Sequence, residues 1–293
     1  MPTAITPIKG RAVRPGVRAA LIGGVILVMM LAASLGMYYP TRTSENTARV
    51  SGDDTNPDRV DVTAWVTHVD TTNGTVSVSI SSLEPRGSLA DESGLFRDDA
   101  HLNASTSLTA VSVPVKHAEA APNVDERFGL TGVVTDYPFD QYTANLDIRI
   151  LDAVGSEVPT AITLFSTDPF FTMSSSADDA GLINLTFTRS APTLVYALFV
   201  MVLMLGLAIA AATAAYYILR GRRGLLFPAC SMMAAMLFAL VPLRNAVPGN
   251  PPIGSVIDFG SFFIAEIAIS VSLIASVIIG HHFERANERS KTT

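Results

Sequence analysis

Four apolar runs, each about as long as a bilayer is thick, constrain this chain more than any other feature. They are Ala19–Tyr39, Leu194–Leu219, Leu225–Leu243 and Ile257–Gly280. A hydrocarbon core about 30 Å thick takes about 20 helical residues. In lipid a helix satisfies its own backbone hydrogen bonds, which an open sheet cannot do. The sequence therefore predicts transmembrane helices at 19–39, 194–219, 225–243 and 257–280, one before and three after a long polar segment.

Charge gives the orientation. The chain carries 20 Lys+Arg and 26 Asp+Glu, net −6. Between Thr41 and Ser190, 9 Lys/Arg stand against 22 Asp/Glu, a net charge of −13, so the remainder is positive. Apart from Arg244, its basic residues are Lys9 to Arg18, Arg220 to Arg223, and Arg285, Arg289 and Lys291, at the alternate ends of the four runs. The positive-inside rule then places both termini in the cytoplasm and residues 41–190 outside a cell membrane. Nucleic-acid binding is excluded as a function class, because no basic patch exists away from the membrane flanks. The single Cys230 excludes an intrachain disulfide and a Cys-built zinc site. The basic segment 1–18 followed by 19–39 admits two readings, a cleaved signal peptide or a retained anchor. The run exceeds the ~7–15 residues of a signal core, and Tyr38 and Tyr39 suit an interfacial anchor, so the expectation is a retained helix.

Residues 41–59 show no hydrophobic period and read as an exposed tether. From Val60 the pattern alternates. Val60, Val62, Ala64 and Val66, the turn at Asn73-Gly74, and Val76, Val78 and Ile80 spell a β-hairpin. Alternating pieces recur at 108–115, 127–136, 144–151, 161–165, 170–173 and 182–188, with a long loop at 83–100. About eight short strands without helical period point to an antiparallel sandwich. The expected fold class is an α+β membrane protein: four transmembrane helices and an extracytoplasmic antiparallel β-sandwich at 41–190. An outer Pro/Gly hairpin at 244–256 and a cytoplasmic tail at 281–293 complete the layout.

Several residues stand out for function. Glu266 lies nine residues into the last run, about 14 Å deep at 1.5 Å per residue. A carboxylate there must face the bundle, be protonated or have a partner, either as a structural hydrogen-bonding group or as a proton or ion relay. Arg244 and Asp258 bracket the outer hairpin, and Arg244 is expected to pair with Asp258 or with an acid of the outer domain, unless headgroups wet the two charges separately. In Thr135–Tyr142, TDYPFDQY, Pro138 extends the residue before it, Phe139 is the expected core plug and Asp140 the expected turn cap. This string is either a plain turn or the docking point of the outer domain on the outer hairpin. Gly206, Ala210 and Ala214, and Ala268, Ser272, Ser276 and Gly280, form small-residue stripes suited to helix packing within the bundle or between copies. No nucleophile-elbow, phosphate-loop or zinc-protease motif occurs, and neither acid pairs nor histidines have ligand spacing. No catalytic residue, cofactor or metal is expected. The expected partners are the lipid bilayer, an envelope protein and a second copy of the chain.

Arg127–Ile148, RFGLTGVVTDYPFDQYTANLDI, and Leu243–Glu266, LRNAVPGNPPIGSVIDFGSFFIAE, together with the one-span, outer-domain, three-span layout, resemble the largely actinobacterial membrane proteins of domain-of-unknown-function family 4436. That resemblance implies an architecture and no activity. TDYPFDQYTANLDI also looks like the Pro-Phe-Asp turn of pentameric ligand-gated ion channels. The chain departs from those in span order, in its shorter outer domain and in having Tyr142 and Thr143 where a cysteine would follow.

Overall fold

The computed structural model describes residues 48–105, 110–177, 182–221 and 226–292, with Val28 and Ala32. The expected basic N-terminus 1–18, the first span 19–39 apart from Val28 and Ala32, the start of the tether, and Arg222 and Arg223 of the inner loop lie outside the described residues.

Among the described residues, eleven strands occupy the outer segment: β1 Arg49–Gly52, β2 Val60–Asp70, β3 Thr75–Pro85, β4 Ala100–Ser105, β5 Ala110–Val115, β6 Val124–Gly132, β7 Gln141–Asp152, β8 Glu157–Val158, β9 Thr160–Ser166, β10 Phe171–Ala177 and β11 Ile183–Arg189. They form one continuously hydrogen-bonded sheet in the order β1-β9-β2-β3-β6-β7-β11-β10, with β4 and β8 also on β7 and β5 on β4. The expected β2–β3 hairpin is present, and Gly74 takes φ +64° in its turn. Alternate residues of nearly every strand enter a single core, from Val60, Val76 and Ile80 to Leu146, Leu185 and Phe187. The first and last strands of the order, β1 and β10, lie against each other, so the sheet curls until its ends meet.

The sheet corrects the sequence reading in three places. It is mixed, because β9 returns to run parallel to β2, pairing Val60 with Thr160 through Val66 with Ser166. A residue pattern specifies which face of a strand is buried and leaves its direction open. The segment read as a tether contains β1, an edge strand with too little apolar content to signal itself. The short strand β4 was also missed: its buried residues are Ala100, Leu102 and Ala104, and alanine gives a weak alternation.

Among the described residues, three helices follow: α1 Ala191–Arg220, α2 Phe227–Asn245 and α3 Phe263–Thr292, the last entered through a π-helical turn at Asp258–Phe262. Each is long and apolar enough to cross a membrane. The expected tail from 281 continues α3 as helix through Thr292. α3 packs against both α1 and α2. Its buried stripe, Ala265, Ile269, Ser272 and Ser276, includes two of the small residues noted above, Ser272 and Ser276, while Ala268 is half-buried. On α1 the expected stripe is corrected: Gly206 and Ala210 face outward. The packed face is Ala197, Val200, Met204, Ala208, Ala211, Ala215 and Ile218. An alanine-rich helix offers small residues on every side, and its neighbours choose which side is used.

Candidate functional site

The unusual chemistry collects where the sheet meets the outer ends of the helices. Two strands bring it there. In β11, Ile183, Leu185 and Phe187 point into the core, and the same alternation turns Arg189 inward. In β7, Tyr142, Ala144 and Leu146 point inward, and Asp140 precedes them in the same phase. Phe187 is paired with Tyr142 in an antiparallel register. Two residues further along that register, Arg189 faces Asp140.

The two side chains form a buried bidentate ion pair, 3% and 0% exposed. Arg189 Nε donates to Asp140 Oδ1 at 2.9 Å and Nη2 donates to Oδ2 at 2.8 Å, while the Tyr142 hydroxyl donates to Oδ2 at 2.7 Å. The guanidinium also lies over the rings of Phe171, at 4.2 Å, and Tyr137, at 4.9 Å, where ring faces favour a cation. Asp140 is thus a counter-ion and not the expected turn cap. Burial, and then the bond to Asp140, raise the Tyr142 phenol above its ordinary range.

The string TDYPFDQY inserts by a different residue from the one expected. Phe139 is 60% exposed, whereas Tyr137 is fully buried and belongs to the apolar cluster of the helices with Ala197, Val247 and Ile257. Pro138, joined to Tyr137 by a cis peptide bond, lies between the two. Turning the chain through that proline sends one aromatic ring into the bundle and the next to solvent. Burial pushes the Tyr137 phenol up to about 12. Among the described residues, the Tyr137 hydroxyl and Arg189 Nη1 have no hydrogen-bond partner.

The outer hairpin supplies the other wall. Gly249 takes φ +86°, and a Cβ built there would stand 2.6 Å from Arg189 Nη1. Glycine is needed both for the left-handed backbone and for the close approach. The hairpin itself is closed by Arg244 and Asp258. Nε donates to Asp258 Oδ1 at 2.8 Å, Nη2 to Oδ2 at 2.9 Å, and Nη2 also to the Pro252 carbonyl at 2.9 Å. Asp258 additionally accepts from the Gly254 and Ser255 backbone N–H groups and the Ser255 hydroxyl. Here Arg244 and Asp258 form one pair, joined to the Asp140 pair by the contact of Arg189 with Gly249.

Residues 50–189 match a family described as Domain of unknown function (DUF4436). The β domain belongs to that family. Residues 189–282 match a second, Domain of unknown function (DUF8686). No curated protein matches the chain. The two matches meet at Arg189, the residue that binds Asp140 within the DUF4436 domain and abuts Gly249 in the helical part.

Glu266 stands apart from this junction. It is half-buried on α3 and lines a shallow groove with Phe263, Ile267, Ser270 and Val271, all from the same helix. Sequence reasoning offered Thr135–Tyr142 as a docking point on the outer hairpin, and Tyr137 clusters there with Val247; it did not single out Tyr137 or Gly249 within those segments, and it overlooked Arg189. The signal for Arg189 was its place at the end of the alternation Ile183, Leu185, Phe187; a charge in the buried phase of a strand needs a counter-charge. Among the described residues no three His, Cys, Asp or Glu side chains are grouped as a metal site requires.

Proposed function

We propose that this is a four-span, non-enzymatic protein of the cell membrane that holds its DUF4436 domain, a β-sandwich, rigidly at the outer surface for recognition of another envelope component. The observation that carries the reading is the shared junction. Tyr137 of the outer domain is buried in the cluster of the helices, and Arg189 is clasped by Asp140 while it touches the outer hairpin. A domain that merely needed tethering requires no such fit. An isolated buried charge is costly, and an ion pair in excellent geometry offsets that cost while fixing one arrangement. The acidic outer segment and basic inner flanks support termini in the cytoplasm and residues 41–190 outside. The curled sheet around one core supports the sandwich reading, and 19–39 supplies the first span.

Topology is tested by labelling with a membrane-impermeant maleimide in a Cys230→Ser background. Ser93→Cys should label on intact cells and Asn287→Cys only after lysis; the reverse pattern overturns the orientation. The recognition role is tested by crosslinking in cells followed by purification in mild detergent. A reproducible partner or ligand whose recovery falls in Asp140→Ala is expected, and recovery of none defeats the reading.

Glu266 favours a second reading, an oligomeric channel or transporter-like protein. Beside Ser270 it forms a polar spot on an otherwise apolar face of α3, and among the described residues no side chain pairs with it. A conduit would require several copies. Reconstituted protein should then show flux altered by Glu266→Gln, and absence of flux across pH and voltage excludes this role.

A further inference from the structure

A second polar cluster lies on the solvent face of the sheet, away from the Asp140–Arg189 junction. His68, Ser77 and Arg127 stand in one row across β2, β3 and β6, His68 opposite Ser77 and Ser77 opposite Arg127. A register shift between Val66 and His68 sets the imidazole on this face, as a bulge re-aims a side chain. With Asp70, Asn73 and Thr75 the row lines a cleft of about 450 Å³. These are six polar side chains with no apolar neighbour among them.

Three observations bear on what the cleft takes. The imidazole is held from behind: His68 Nδ1 lies 3.3 Å from the Asp168 carboxylate, which is 1% exposed and also accepts from the Val69 and Phe170 N–H groups at 2.8 Å. The ring thereby presents its Nε2 edge outward. Arg127 has no ion-pair or hydrogen-bond partner among the described residues, unlike Arg59, Arg86, Arg149, Arg189 and Arg244. The one carboxylate in the cleft, Asp70, is occupied by the N–H groups of Thr72 and Asn73 and the Asn73 amide, which hold it below the usual carboxylate range.

The cleft also sits low in the outer domain. Asp168 is followed by Pro169, whose carbonyl accepts a hydrogen bond from the Ser190 hydroxyl at 2.9 Å, and Ser190 directly precedes α1. The 30 residues of α1 span about 45 Å at 1.5 Å per residue, against about 40–45 Å for a bilayer with its headgroups. The start of α1, and with it Asp168 and the His68 side of the cleft, stands at the outer headgroup layer.

We propose that this cleft holds the phosphate of a phospholipid headgroup from the outer leaflet. Arg127 takes the phosphate oxygens through its planar fork, the Ser77 and Thr75 hydroxyls and the His68 edge complete the contact, and Asp70 faces the headgroup's hydroxyl or ammonium group. The inference rests on the membrane orientation given under Proposed function. It adds a ligand class and a binding site that neither the junction nor Glu266 provides.

The test uses the full chain. Co-flotation with vesicles of phosphatidylethanolamine and phosphatidylglycerol first establishes membrane insertion, and failure there overturns the membrane reading on which the proposal rests. Native mass spectrometry from mild detergent then counts retained phospholipid during titration. Arg127→Gln should weaken retention of one lipid about tenfold, the scale of a charge-assisted hydrogen bond. Arg127→Lys should restore part of it, and Arg59→Gln, a guanidinium already paired with Asp61, should change nothing. Unchanged melting of Arg127→Gln shows that the loss is not unfolding. Equal retention by wild type and Arg127→Gln overturns the proposal. Inorganic phosphate is the competing source: 31P line broadening abolished by Arg127→Gln, with lipid retention unaffected, assigns the cleft to free phosphate and likewise overturns it.

Discussion

Two buried arginine–aspartate pairs hold this protein together, and they differ in how far the chain travels to make them. Arg244 and Asp258 are 14 residues apart and close one hairpin. Asp140 and Arg189 are 49 residues apart, on neighbouring strands of a sheet. The local pair is built into its own loop: its carboxylate also binds the Gly254 and Ser255 backbone, and its guanidinium the Pro252 carbonyl. The distant pair has aromatic rings and Gly249 around it, with Arg189 Nη1 unbonded among the described residues. A local pair shapes a turn, whereas the distant one ties two segments of the sheet and, through the approach of Arg189 to Gly249, sets that sheet against the outer hairpin.

Removing one partner should separate the two cases most sharply. Asp140→Ala leaves Arg189 buried without its counter-charge and deprives the Tyr142 hydroxyl of its acceptor. It should cost about 3–5 kcal/mol in unfolding of the sheet followed by circular dichroism in detergent. Asp258→Ala leaves Arg244 the Pro252 carbonyl at the outer edge of the bundle. A loss of about 2–3 kcal/mol is expected, and a loss as large as for Asp140→Ala would erase the distinction. Exchanging the charges as Arg244→Asp with Asp258→Arg should not rescue, because the backbone N–H groups of Gly254 and Ser255 still require a carboxylate at 258.

The hairpin glycines sharpen the comparison at smaller scale. Gly249 and Gly254 have φ +86° and +94°, but only Gly249 has a neighbour within 4 Å of its built Cβ. Gly254→Ala should cost about 1 kcal/mol for backbone strain. Gly249→Ala should cost a further ~1–2 kcal/mol by displacing the guanidinium, measured by thermal melting. Equal effects would mean that Arg189 is free to move away, and that the two domains are less tightly joined.

The smallest effects come from Tyr137. Tyr137→Phe removes a hydroxyl that has no partner among the described residues and should shift stability by less than about 0.5 kcal/mol. The phenol's pKa is raised from 10.0 to about 12, chiefly by burial. Its protonated form is therefore favoured in the native state: the associated stability is present below pH 10 and is lost as pH rises from 10 to about 12. Alkaline unfolding, followed by circular dichroism as pH rises from 10 to about 12, should consequently be milder in Tyr137→Phe.

Much of the fold was legible because it depends on patterns a few residues long. Leu194–Leu219 announces α1 by apolar length, and Val60 to Ile80 announces β2 and β3 by alternation around Asn73-Gly74. The bracketing of Pro248 to Gly254 by Arg244 and Asp258 also lies within one loop. The strands that escaped notice are β1 and β4, which bury little beyond alanine, leucine and serine and so carry weak patterns, and β8, whose two residues are too few to alternate. The direction of β9 was hidden because alternation looks the same read either way. In the junction, Phe139 is the more apolar of two aromatic residues two positions apart, yet Tyr137 is the one buried among the helices, because tertiary packing and not side-chain polarity decides which ring enters the bundle.

By itself the sequence determined which segments are apolar enough for a membrane, which residues of each strand share a face, and that the outer segment is acidic and the flanks basic. Those properties follow from composition and short-range period. The tertiary structure alone decided that Arg189 meets Asp140, that Gly249 admits the guanidinium, and that His68, Ser77 and Arg127 form one row. Each of these depends on strand register and domain docking, which are set by the packing of the whole core and leave no mark in any one segment.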